Sequence, residues 1–97
     1  MKILANSVKE QANRAKHGWG FEQVDAIFTA PVLDEPDDRP LGYEQEARVR
    51  ALGRIGLRVV VLVFEPVEVE NGEIAVRPIS LRDATRGEER AYWRHVG

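Results

Sequence analysis

The sequence predicts an α+β domain: two N-terminal helices, a small antiparallel sheet of three to four strands, and a C-terminal helix. Three observations carry that reading. Ser7-Val8-Lys9-Glu10 and Thr85-Arg86-Gly87-Glu88 have the form of capping boxes. In such a box the hydroxyl accepts a backbone N–H and the glutamate reaches back, so each opens a helix. Val59-Val60-Val61-Leu62-Val63-Phe64 is a run of six apolar residues, the length of one strand buried on both faces. Asn71-Gly72 is a strong hairpin signal between two strand-like stretches.

Taken in order, Val8, Ala12 and Ala15 fall at i, i+4, i+7 and define the apolar face expected of the first helix. Asn6 or Ser7 caps it, Lys16 and His17 sit in its last turn, and Gly18 supplies the left-handed terminating residue. Phe21, Val24, Ile27 and Phe28 imply a second helix that Pro31 stops. Residues 31 to 42, with Pro31, Pro36, Pro40 and Gly42, read as an exposed loop. Ala47 to Leu52 alternates small or apolar residues with Arg48 and Arg50, which puts both arginines on one face of a strand. Gly53 to Gly56 is turn-like, and Arg58 to Phe64 is apolar on both faces, hence the central strand. After Asn71-Gly72 comes a strand over Ile74 to Leu81, where Pro78 marks an edge, a bulge or a strand end. The last helix runs from Thr85 to about Arg94, giving the order αα-βββ-α in one domain over residues 1–97.

Composition narrows the classes. With 97 residues the chain supports a single modest core; 43% hydrophobic and 31% charged residues exclude disorder, and no apolar run approaches membrane-spanning length. There are no cysteines, so disulfides and thiolate metal sites are excluded, and no leader-like segment opens the sequence, from which a cytoplasmic location is expected. The net charge of −2 hides segregation. Residues 34 to 46 hold six acids against Arg39 alone, and residues 65 to 73 hold four more. Between these runs stand Arg48, Arg50, Arg54 and Arg58, and five further arginines follow from Arg77 onward. Eleven of the fourteen basic residues are arginine, the side chain shaped to grip phosphate or carboxylate oxygens in pairs. The plainer alternative is that these arginines pair with the acidic loops beside them.

If the oxygens these arginines grip are those of an RNA phosphodiester, cutting it without a metal requires a base for the 2′-hydroxyl, cations for the pentacoordinate phosphorane, and an acid for the 5′-oxygen. Arg48, Arg77 and Arg82 are candidates for charge stabilisation, because a guanidinium does not titrate usefully. Lys16, His17 and Glu46 are the titratable candidates; His17 is suited to either proton transfer, or else serves as a favourable cation at a helix C-terminus. Arg50, Arg86 and Tyr92 are candidate RNA contacts, Tyr92 being alternatively a core aromatic beside Trp93. Ser80 reads as satisfying a backbone group, and Trp19 and Trp93 as core or partner contacts. No cofactor-binding or metal-ligand pattern is present.

The order Lys16-His17-Gly18, Phe21-Glu22, Phe28-Thr29-Ala30-Pro31, Glu46-Ala47-Arg48, Val59 to Phe64, Arg77-Pro78-Ile79-Ser80-Leu81-Arg82-Asp83-Ala84-Thr85, then Glu88 and Tyr92, resembles the BrnT toxins of bacterial type II toxin–antitoxin pairs. The resemblance runs through nearly the whole chain. It implies a RelE-like fold, metal-independent endoribonuclease activity that inhibits translation, no cofactor, and a cognate BrnA-like antitoxin that binds the toxin and carries the DNA-binding function. An exposed sheet edge and two tryptophans add the expectation of a homodimer or an antitoxin-bound hetero-oligomer. The chain departs from the family pattern at Ala5-Asn6, where Trp-Asp is usual, at Pro78, at Leu81, where alanine is usual, and at Glu89, where arginine is common. Two other readings stay open: a toxin fold with an eroded site that serves only to bind a protein partner, and an RNA-binding module that does not cleave.

Overall fold

The computed structural model describes residues 2–36 and 48–96. Strands β1 (Lys2–Ile3), β2 (Leu33–Pro36), β3 (Val49–Ile55), β4 (Arg58–Glu68) and β5 (Ile74–Asp83) form one sheet in the order β1-β5-β4-β3-β2. Helix α1 (Ser7–His17), a 3-10 turn at Phe21–Gln23, the single-turn α2 (Val24–Ile27) and α3 (Arg86–Val96) complete it. The α+β class holds, and β4 is the middle strand of five. Val59 to Phe64 are all buried, Val60, Val61 and Leu62 completely, and each such side chain contributes about 1.5–3 kcal/mol. No described helix is long and apolar enough to cross a membrane.

The sheet differs from the expected three or four antiparallel strands in two places. β1 pairs with β5 in parallel, Lys2 opposite Ala75 and Ile3 opposite Val76. Two residues are too few to show a period. β2 occupies the start of the segment read as loop, with Leu33 opposite Leu52 and Pro36 opposite Val49. Its prolines argued for loop, yet an edge strand pairs on one side only and tolerates a missing N–H. Gly53 is likewise inside β3 rather than in a turn. A Cβ there would stand 2.5 Å from Ile27 Cγ2, so glycine lets α2 lie directly on the strand. The turn is Gly56-Leu57, Gly56 having φ 64° and Ile55 pairing with Arg58.

Each face of the sheet carries one layer. On one, Val60, Leu62 and Phe64 of β4, Ala51 of β3, and Val76 and Leu81 of β5 pack against Phe21, Val24 and Ile27. The second helix expected from those last three residues is a 3-10 turn followed by one α turn, with its apolar residues buried as expected. On the other face, Leu52, Val59 and Val61 meet Tyr92 of α3. Val63 belongs to neither cluster, and the level of the sheet around it is where the arginines gather.

Helix α1 is bounded as its sequence indicates but turned differently. Asn6, not Ser7, is the cap, its Oδ1 accepting from Val8 N–H at 2.9 Å and Lys9 N–H at 3.1 Å, and Gly18 terminates the helix at φ 81°. Val8, Ala12 and Ala15 are exposed, Val8 by 74%. The buried residue is Asn13. Its amide donates to Leu81 O at 2.9 Å and to Trp19 O at 2.8 Å, and its Oδ1 accepts Leu81 N–H at 3.0 Å. α1 docks along the β5 edge beyond the end of β1, where a strand's free N–H and C=O need polar partners. An amide meets that need and a methyl group does not.

Candidate active site

Arg77 and Arg82 are five residues apart, a spacing that would put them on opposite faces of a regular strand. The β4–β5 register shifts at Val63/Phe64: Val63 pairs with Ser80 and Phe64 with Pro78, leaving Ile79 as the extra residue of a bulge. Arg77 therefore stands opposite Glu65 and Arg82 opposite Val61, both on the face that carries α3. On β3 the alternation places Arg50, Leu52 and Arg54 on that same face, with Arg50 opposite Val63 and Leu52 opposite Val61. Arg48 immediately precedes β3, whose first residue, Val49, is opposite Phe64. α3 covers Leu52, Val59 and Val61; at the other end of the face Arg48, Arg50 and Arg77 surround Val63, Glu65 and Ser80.

Glu65 and Asn13 are the buried polar or charged residues of the described chain, Glu65 at 8% exposure. Arg77, about half exposed, places Nη1 3.5 Å from Glu65 Oε1. Arg48 has a buried Nε with no hydrogen-bond partner among the described residues. A carboxylate this far out of water requires a cation beside it, and Arg77 supplies one, with Arg50 one pair further along the same face. Glu65 was not a sequence candidate. The available signal was its period-2 spacing from Val59, Val61 and Val63, which puts an acid on a buried line.

Arg82, Arg58 and Arg54 have other partners. Arg82 forms a two-pronged pair with Glu88, Nη1 to Oε1 at 2.9 Å and Nη2 to Oε2 at 3.0 Å, and Nη1 also donates to Asp83 O. Glu88 in turn accepts Thr85 N–H at 2.9 Å while Thr85 Oγ1 accepts Glu88 N–H, the capping box expected from the sequence. The Arg82 hydrogen bonds hold the Glu88 carboxyl at about 2, below its ordinary value of 4.5 and against the opposing effect of partial burial. Arg58 pairs with Asp83 at 2.9 Å and lies over the Trp19 ring, whose Nε1 donates to Asp83. Arg54 donates to Gly56 O and lies over Trp93. These contacts tie strand ends and helices together.

The other sequence candidates divide. Lys16 and His17 line a cleft of about 240 Å³ with Lys9, Ala12, Asn13, Ile79 and Ser80, so α1 brings them to the bulged edge of β5. Ser80 belongs both to that cleft and to the arginine level of the sheet. Tyr92 is fully buried and its hydroxyl donates to Pro31 O at 2.8 Å, which makes it a core anchor rather than a surface for RNA. Arg86 is exposed at the start of α3. Glu46 lies outside the described residues. Among curated proteins no match was found. A family model described as the ribonuclease toxin BrnT of type II toxin–antitoxin systems matches residues 6–88. That span takes in α1, the bulged β5 and its arginines, and the Glu88 cap, and the chain belongs to the BrnT family of ribonuclease toxins.

Proposed function

We propose that the chain is a RelE-like, metal-independent endoribonuclease whose catalytic surface is the arginine end of the sheet, and that a BrnA-like antitoxin neutralises it. The observation that supports this most is the convergence of Arg48, Arg50 and Arg77 around Glu65 and Ser80, beside the cleft that holds Lys16 and His17. Three guanidinium groups on one patch match the charge that accumulates on the phosphorane oxygens. In this reading Lys16 and His17, which share a cleft with Ser80, act on the leaving 5′-oxygen. Arg82 holds α3 through Glu88 and acts on the site by fixing the strand that carries Ser80. The cytoplasm, where RNA and an antitoxin are both at hand, is the expected compartment, and the antitoxin, as DNA-binding partner, would complete a hetero-oligomer or a dimer of such pairs.

The test is cleavage of total RNA by the purified protein in EDTA, alongside growth after induction. Wild type is expected to cut and to slow growth. Arg77→Ala should lose about 2–4 kcal/mol of transition-state stabilisation, on the order of a hundredfold or more in rate. His17→Ala should flatten one limb of the pH–rate profile. A folded wild type that neither cuts nor slows growth would favour the second reading, a toxin fold retained for partner binding. The pairing of Arg77 with Glu65 and of Arg82 with Glu88, which offsets the charge of two candidate cations, is what favours that alternative. Tight RNA binding without cleavage would instead favour the non-cleaving RNA-binding module.

A further inference from the structure

The geometry points to Glu65 as the general base of the reaction, an assignment that rests on the ribonuclease reading above. Glu65 is the buried charged residue of the described chain, and it lies within the arginine patch rather than in the core that α3 covers. The groups nearest it on this face are Arg77 from β5, opposite it in register and paired with it, Arg50 from β3, opposite Val63, and Arg48, which immediately precedes β3. A carboxylate whose only role was to neutralise Arg77 would be equally effective at the rim, where desolvation costs little. The 3.5 Å separation from Arg77 is a loose pair, unlike the 2.9 and 3.0 Å fork between Arg82 and Glu88. The carboxylate thus keeps accepting capacity for a substrate hydroxyl, and a phosphate seated on Arg48, Arg50 and Arg77 would present its ribose to it.

The chemistry closes. Glu65 takes the 2′-hydroxyl proton as the 2′-oxygen bonds to phosphorus, and the bond from phosphorus to O5′ breaks. O5′ leaves as an alcohol, protonated from the α1 side of the cleft where Lys16 and His17 stand. The products are a 2′,3′-cyclic phosphate and a 5′-hydroxyl, and Glu65 returns its proton to solvent. Because Ser80 neighbours both Val63 of β4 and the α1 cleft, base and acid approach the phosphate from opposite sides of β5.

The experiment compares wild type, Glu65→Gln and Glu65→Asp in single-turnover cleavage across pH, and in binding of a 2′-O-methyl RNA that cannot be cut. Glu65→Gln should cut at least about a hundredfold more slowly and lose the rise of rate on the acidic side. It should bind the uncleavable RNA as tightly as wild type or more so, since a negative charge has been removed from the patch. Glu65→Asp should keep the acidic limb at a reduced rate, and carries the test if the amide variant does not fold; a wild-type rate and profile in the aspartate variant would then overturn the assignment. Undiminished cleavage by Glu65→Gln overturns it and leaves the ribonuclease reading intact. Binding that falls in step with cleavage overturns it too, and makes Glu65 a strut for the arginines. A wild type that does not cut overturns both readings.

Discussion

Glu88 and Arg82 show how far one residue's environment decides its task. The fork between them joins the end of β5 to the first turn of α3, and Glu88 also caps that helix through Thr85. The folded carboxyl is held at about 2 against 4.5 ordinarily. The folded state therefore binds fewer protons than the unfolded one between those values, and the contribution to stability is full above about pH 5. It declines as the pH falls and is gone below about 2. Glu88→Gln or Arg82→Ala should lower stability near neutrality by about 1–3 kcal/mol. Each should also show a shallower fall in urea midpoint between about pH 5 and pH 2 than wild type. Glu22, lowered to about 2 chiefly by its hydrogen bond from Arg14, is more than half exposed. Solvent screens that pair, so Glu22→Gln should leave the acid slope nearly unchanged.

Among the elements, α1 exposes the difference between a helix that packs on a sheet and one that closes its edge. Two hydrogen bonds between Asn13 and Leu81 replace the neighbour strand that β5 lacks beyond β1, and a third, to Trp19 O, ties in the chain after α1. Asn13→Ala leaves Leu81 N–H and C=O without partners, and should cost about 2–4 kcal/mol in denaturant unfolding. The Leu81 amide should become the fastest-exchanging of the inner β5 amides. The sequence told the Thr85–Glu88 capping box, the Gly18 terminus and the central strand, because those depend on neighbours within a few residues, whereas the first cap fell to Asn6 rather than Ser7. Asn13 was missed because its partner is 68 positions away. Glu65 was missed because its place opposite Arg77 depends on the five-residue loop from Val69 to Glu73, which sets the register up to the bulge at Ile79. Pro78 did announce the irregularity. Neither it nor the arginines could say that one extra residue brings Arg77 and Arg82 to the same face.

For the molecule as a whole, a net charge of −2 would oppose RNA binding if charge were spread evenly. It is not: Arg14 pairs with Glu22, Arg58 with Asp83, Arg82 with Glu88 and Arg77 with the buried Glu65, and the sheet register gathers Arg48, Arg50 and Arg77 at one end of one face. Single-stranded RNA that neutralises three phosphates on that patch releases about 0.7 counterions for each. The logarithm of the binding constant should then fall with the logarithm of salt at a slope near −2. Arg48→Ala and Arg77→Ala should each reduce that slope by about 0.7, and Arg14→Ala, paired with Glu22, should not move it. Binding of the 2′-O-methyl RNA over a salt series measures this without any cleavage. If the slope survives loss of the sheet arginines but shrinks in Arg86→Ala, the RNA lies along α3 instead. The sheet patch would then have to be read as the seat of an acidic segment of the antitoxin, competing with nothing.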